Sequence, residues 1–358
     1  MENNDNINNQ EIKAENKLKR NKNKIEGIIF ARSCCCIGIV IFHYFAHSKG
    51  KFKLLYRTAN SNFGYLFDIS FFCISGAVLF YNYPKINSIK IFYFKRWKSI
   101  LPSFYLCFLY FYLSNVFRYR KQIFKWTLLK FCITLLGLDG YLAYITNTCY
   151  LVGEWFLGAI IIIYLLFPIL SCLLNSSGFL FSLILPMLNF YMYKTNHLIY
   201  SKPINLITCL TNFCFGILTI KFMHFFFKNI KTLVVSIIIF LLLSSIAFPN
   251  ILIFHQIQGF SLFIILVNVG RYVMFTKLNK IFIELGNLSY TIFLYQHKII
   301  LDVLSVSNPT FWYLHLQLLA IVILLTIICS KIHNMVVNSI FKSNIFIKFE
   351  SIIIFKQK

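Results

Sequence analysis

Residues 27–47 read GIIFARSCCCIGIVIFHYFAH. The stretch is as long and as apolar as a membrane-crossing helix of about 20 residues, yet it contains Arg32 and His43. An ionisable side chain inside a membrane segment is costly and marks a functional position by default. The two residues are eleven positions apart, about three helical turns. They therefore fall on nearly the same face, about 16 Å apart along the axis. A polar stripe down one side of a membrane helix needs partners, which the rest of the chain must supply.

The surrounding sequence settles the class. Of its 358 residues, 58% are hydrophobic and only 13% charged, too little polar character to cover a soluble protein of this size. Apolar runs fall near 28–46, 64–83, 101–117, 127–146, 155–174, 178–193, 204–221, 232–248, 259–276, 284–304 and 311–331. They lack the alternation of membrane β-strands. The expected fold is an all-α polytopic membrane protein. The weakest run, 127–146, is interrupted by Lys130, Gly137, Asp139 and Gly140. If it does not span, Lys and Arg concentrate in the loops on the side of the N-terminus, as the positive-inside rule requires; if it spans, the bias disappears. The sequence thus predicts about ten transmembrane helices with both termini cytoplasmic, and 127–146 re-entrant or surface-lying on the outer side. Residues 1–25 read as a polar cytosolic tail, 26–335 as one membrane domain without internal repeats, and 336–358 as a basic cytosolic tail.

The formal charge of +24, from 35 Lys+Arg against 11 Asp+Glu, is spread among membrane loops. It does not form one patch, which argues against nucleic-acid binding. Most of it reads as membrane-flanking anchors; some of it is available to an anionic cofactor. The eleven Cys make no metal pattern. Cys34, Cys35 and Cys36 are consecutive on a helix and point in three directions, and most others sit in apolar runs where Cys behaves as a small hydrophobe. No metal is expected. The first 24 residues are rich in Asn and Lys and hold no apolar core, so no signal peptide is visible.

Four further stretches carry polar groups at telling positions. In DISFFCISG, 68–76, Asp68, Phe72 and Ser75 recur at i, i+4 and i+7 and share a face, while Gly76 permits close approach of another helix. Asp68 is a pairing candidate for an Arg or His on another helix. In FKRWKSILPSFY, 94–105, Lys95, Arg96 and Lys98 precede Pro102, which reads as the start of the third helix. Anchoring is the ordinary reading of the lysines, whereas Arg96 offers a fork to phosphate. In GEWFLGAIIIIYLLFP, 153–168, Glu154 opens a helix. An acid there is favourable in itself, which balances a site role against plain capping. In LGNLSYTIFLYQH, 285–297, Ser289 with Gln296 and Tyr290 with His297 make a polar stripe. His43 is the group suited to general-base work, because an imidazole in a partly dry site can accept a proton near neutral pH.

Taken together and in order, these stretches resemble the acyltransferase 3 family of integral membrane acyltransferases. The matching pattern is an Arg, ten residues and a His on the first helix (Arg32, His43), then an Asp before a Phe-Phe-x-x-Ser-Gly block (Asp68, Phe71, Phe72, Ser75, Gly76). A basic run before x-Pro follows (Lys95, Arg96, Pro102), and last the Leu-Gly-x-x-Ser-Tyr segment at 285–297. The likeness covers about residues 26–331. It implies a ten-helix enzyme that moves an acyl group, usually acetyl, from acetyl-CoA as co-substrate onto a polysaccharide or lipid-linked glycan, in the cell (plasma or inner) membrane. His43 and Asp68 would be catalytic, and Arg32, Arg96, Lys98 and Ser75 would hold the acyl-CoA. One departure is Ser99, where many relatives carry a second Arg; Lys98 stands beside it. A polytopic exporter of glycans or small molecules is the alternative. It accounts for the helices and the charges, but not for the basic cluster together with His43.

Overall fold

The computed structural model describes residues 26–48, 57–120, 125, 127–195, 204–248, 251–307, 309 and 311–355. The expected tail at 1–25 lies outside them. Among the described residues every regular element of any length is a helix. We number them α1 (Glu26–His47), α2 (Phe63–Asn82), α3 (Ile89–Tyr119), α4 (Leu128–Leu135), α5 (Asp139–Leu142), α6 (Glu154–Lys194), α7 (Leu206–Lys221), α8 (Met223–Lys228), α9 (Ile230–Ser245), α10 (Ile251–Val273), α11 (Asn279–Val306), α12 (Trp312–Lys342) and α13 (Asn344–Phe355). Among the described residues six are long and apolar enough to cross a membrane: α1, α2, α3, the first part of α6, α10 and α12; α7 and α9 are shorter apolar helices. The chain is an all-α, multi-pass membrane protein.

Local sequence sets many helix starts. Side-chain oxygens of Asn62, Ser88, Asn205 and Asn229 each accept a backbone N–H in the first turn of α2, α3, α7 and α9, satisfying donors that would otherwise be orphaned in an apolar setting. The Ser88 cap corrects the expectation at Pro102. The helix already begins at Ile89, so Pro102 lies inside α3. The basic run 95–98 is therefore helical.

We call the end where α1 begins proximal and the end where it finishes distal. A straight helix of 41 residues would be about 62 Å long, twice the hydrocarbon thickness of about 30 Å. The contacts of α6 show that it is not straight. Lys221 Nζ donates to the Leu174 carbonyl at 2.6 Å and Asn175 donates to the Pro84 carbonyl at 2.9 Å, which puts the middle of α6 at the proximal end. Thr208, thirteen residues or about 20 Å from Lys221 along α7, donates to Asn189 Oδ1 at 2.9 Å. The chain has therefore doubled back between Asn175 and Asn189. The runs 155–174 and 178–193 therefore each pack against α7, at its two ends.

The tightest packing is between α2 and α7. A Cβ on Gly76 would sit 2.0 Å from the Phe213 carbonyl oxygen, and one on Gly216 would sit 1.9 Å from that of Cys73. The two backbones touch through a pair of glycines, the small-residue contact by which helices associate in lipid. The 127–146 run forms the short helices α4 and α5, of which Leu128, Leu129 and Phe131 stay exposed. Gly137 and Gly153, at φ +69° and +86°, turn the chain where other residues would be strained. A Cβ on Gly140 would strike the Glu154 backbone at 2.4 Å, so α5 packs directly on the start of α6. At the other end of the chain, the expected tail boundary at 335/336 falls within α12, and α13 follows it.

Candidate active site

Three residues from three elements meet near the distal end. His43 comes from the last turns of α1, Glu154 from the first residue of α6, and His297 from the distal half of α11. Glu154 Oε2 lies 3.7 Å from His43 Nε2, and Oε1 lies 3.2 Å from His297 Nδ1. The 3.2 Å approach is an ion-pair distance without the alignment of a hydrogen bond, a looseness common in catalytic pairs before substrate binds. The two imidazoles meet edge to face at 5.1 Å. A carboxylate facing one ring nitrogen favours the proton there and leaves the lone pair on the other. All three line a cavity of about 460 Å³, together with Phe42, Tyr65, Tyr144, Tyr150 and Trp155. Burial, and after it the nearby Glu154 carboxylate, push the Tyr150 phenol up, so it stays an O–H donor there.

A second cavity, of about 360 Å³, opens toward the proximal end. Arg32, Ser75, Asn82, Arg96, Ser99, Tyr164, Ser289 and Tyr290 line it. The Arg96 guanidinium lies 5.4 Å from the Tyr83 ring centre and 6.0 Å from that of Tyr164, within cation–π range. Among the described residues no carboxylate pairs with Arg32 or Arg96. Asp68 also lines this cavity but pairs with neither, so both guanidinium groups are available to an anion.

Ile39 and Asp68 line both cavities. Arg32, Ile39 and His43 are spaced i, i+7 and i+11 on α1, so one face of that helix borders the whole path. The polar stripe expected from residues 27–47 thus borders two cavities that share Ile39 and Asp68 as lining.

The candidates divide as follows. Arg32, Ser75 and Arg96 share the proximal cavity and His43 stands in the distal one. Asp68 sits where the two meet, with no ion pair or hydrogen bond to either His43 or Arg32; the carboxylate beside His43 is Glu154. Lys98 does not line the proximal cavity. Its ammonium donates to both Glu350 oxygens, at 2.9 and 2.8 Å, and lies 5.1 and 5.0 Å from the Phe341 and Phe346 rings, so it clasps α13. His297 was legible only as part of a stripe. His47, whose ring centre is 4.9 Å from that of His297, went unremarked, although its spacing of four from His43 was there to be read.

This arrangement places a histidine–carboxylate pair in one cavity of a multi-pass membrane protein and two guanidinium groups in another. The chain belongs to the acyltransferase 3 family: the model of that family, described as an acyltransferase domain, matches residues 25–333. No curated protein and no solved structure matches it significantly.

Proposed function

We propose that this protein is an O-acyltransferase that moves an acyl group, acetyl in the first instance, from acyl-CoA to a hydroxyl of a surface polysaccharide or lipid-linked glycan. The observation that carries this reading is the division of labour along α1. An anion site at Arg32 and Arg96 and a histidine–carboxylate pair at His43 and Glu154 occupy two cavities with a shared border at Ile39 and Asp68.

In this reading ten helical segments cross the bilayer, α6 twice, and both termini face the cytoplasm of a cell that carries the protein in its plasma or inner membrane. The CoA phosphates rest against Arg96 and Arg32, and the pantetheine arm runs past Ser75 toward Ile39 and Asp68. The acceptor lies in the distal cavity, where Tyr65, Tyr144, Tyr150 and Trp155 offer aromatic faces to the C–H faces of a sugar ring. His43, oriented by Glu154, takes the hydroxyl proton as the acceptor oxygen attacks the thioester carbonyl. The C–S bond then breaks, and the CoA thiolate leaves with the proton that His43 returns. A positioned base contributes about 10²–10⁴-fold; holding the two substrates against one another supplies much of the rest.

The test is His43→Ala in membranes given radiolabelled acetyl-CoA and cell-envelope glycan. Transfer should fall by about 10²-fold or more at equal protein level. Undiminished transfer would remove His43 from the reaction. Label retained on wild-type protein without acceptor would replace direct attack by an acyl-histidine intermediate.

A further inference from the structure

The distal cluster holds one group that the transfer reaction does not use. His47 follows His43 by four residues, so both imidazoles leave one face of α1, the spacing by which a single helix supplies two metal ligands. Donor nitrogens of His43, His47 and His297 all lie within 4.8 Å of one another. Glu154 adds a carboxylate 3.7 Å from His43 Nε2 and 3.2 Å from His297 Nδ1. Three imidazoles and a carboxylate are donors that zinc takes in four-coordinate geometry, at about 2.0–2.2 Å each. Donors round such an ion stand about 3.3 Å apart, so side-chain rotations of an ångström or so would close the set. The backbones already stand in place: α5 packs against the start of α6 at Gly140, and the imidazoles of α1 and α11 meet edge to face.

We propose that His43, His47, His297 and Glu154 bind a zinc-class divalent ion, and that the bound ion holds the enzyme inactive. The inference rests on the reading of His43 as the base. The ion occupies the imidazole lone pair and the Glu154 charge together, so no acceptor hydroxyl can be deprotonated until it leaves. His47 contributes affinity for the ion and no chemistry to the transfer. This departs from the expectation of no metal, which rested on the cysteines; the ligands here are three histidines and a glutamate from three helices far apart in sequence.

The experiment titrates Zn²⁺ into the metal-free, full-length protein in lipid nanodiscs, with binding followed by calorimetry and transfer measured alongside. One Zn²⁺ per chain should bind and abolish transfer, and a chelator should restore it. Mg²⁺, which prefers oxygen ligands, should do neither. His47→Ala should keep the basal transfer rate and lose Zn²⁺ affinity by more than about the 10–100-fold that changes in outer-shell partners cost. The proposal is overturned by the absence of saturable Zn²⁺ binding, by equal affinity in His47→Ala, or by activation on binding. Zn²⁺ bound by a protein with no transferase activity would instead overturn the transfer reading and leave the metal site standing.

Discussion

The proximal and distal cavities are walled by the same helix and meet at the same two residues, yet their chemistry is opposite. The proximal one holds Arg32 and Arg96, neither of them paired with Asp68, the acid that stands at its border; the distal one holds a glutamate between two histidines and a ring of aromatics. Guanidinium groups stay charged at any physiological pH, so the first cavity suits permanent attraction of an anion. Imidazole changes its proton count near neutrality, so the second suits proton transfer. The difference shows how one α1 helix can serve two tasks: three turns separate Arg32 from His43, and the lining changes character across Ile39 and Asp68.

That contrast can be broken at three depths. The largest effect is expected at Glu154→Gln, which keeps the size of the side chain and removes the charge beside both histidines. The turnover rate should fall by about 10²-fold or more while KM for acyl-CoA stays within a few-fold, read from initial rates with labelled donor. An unchanged rate would mean that the carboxylate only caps α6. Arg96→Ala should act the other way round. Hydrogen bonds to charged groups are worth about 1.5–3 kcal/mol, so KM for acyl-CoA should rise by about 10–100-fold with a smaller change in turnover. An acyl-pantetheine donor without phosphates should show no such rise. The smallest effect is expected at Lys98→Ala. Its partner is Glu350 and both side chains are part-exposed, at 28% and 30%; such pairs contribute about 0.2–1 kcal/mol. Donor KM should move by less than about fivefold, and a larger rise would return Lys98 to the anion site.

Much of this was legible in the sequence because cost makes polar groups in a membrane conspicuous. Arg32, His43 and Asp68 each interrupt an apolar run, and each lines a cavity. The reversal in α6 follows from two apolar runs separated by Asn175, Ser176 and Ser177. Three things escaped. Glu154 has an ordinary reason to stand at a helix start, so its pairing with His43 and His297 became visible only when three distant elements were brought together. Lys98 and Arg96 are neighbours in a basic run, but they are two positions apart on a helix that begins at Ile89, and residues so spaced point to different sides. His47 lies at the end of α1, where a polar residue costs little and draws no notice.

The most direct test is sidedness. With the protein reconstituted into sealed liposomes, acyl-CoA is supplied on one face only and glycan acceptor on the other, in each of the two arrangements. Transfer should occur when acyl-CoA meets the proximal, Arg96-bearing face and acceptor meets the distal, Tyr144-bearing face, and should fail when the two are exchanged. Transfer only when donor and acceptor share one face would contradict the two-cavity account.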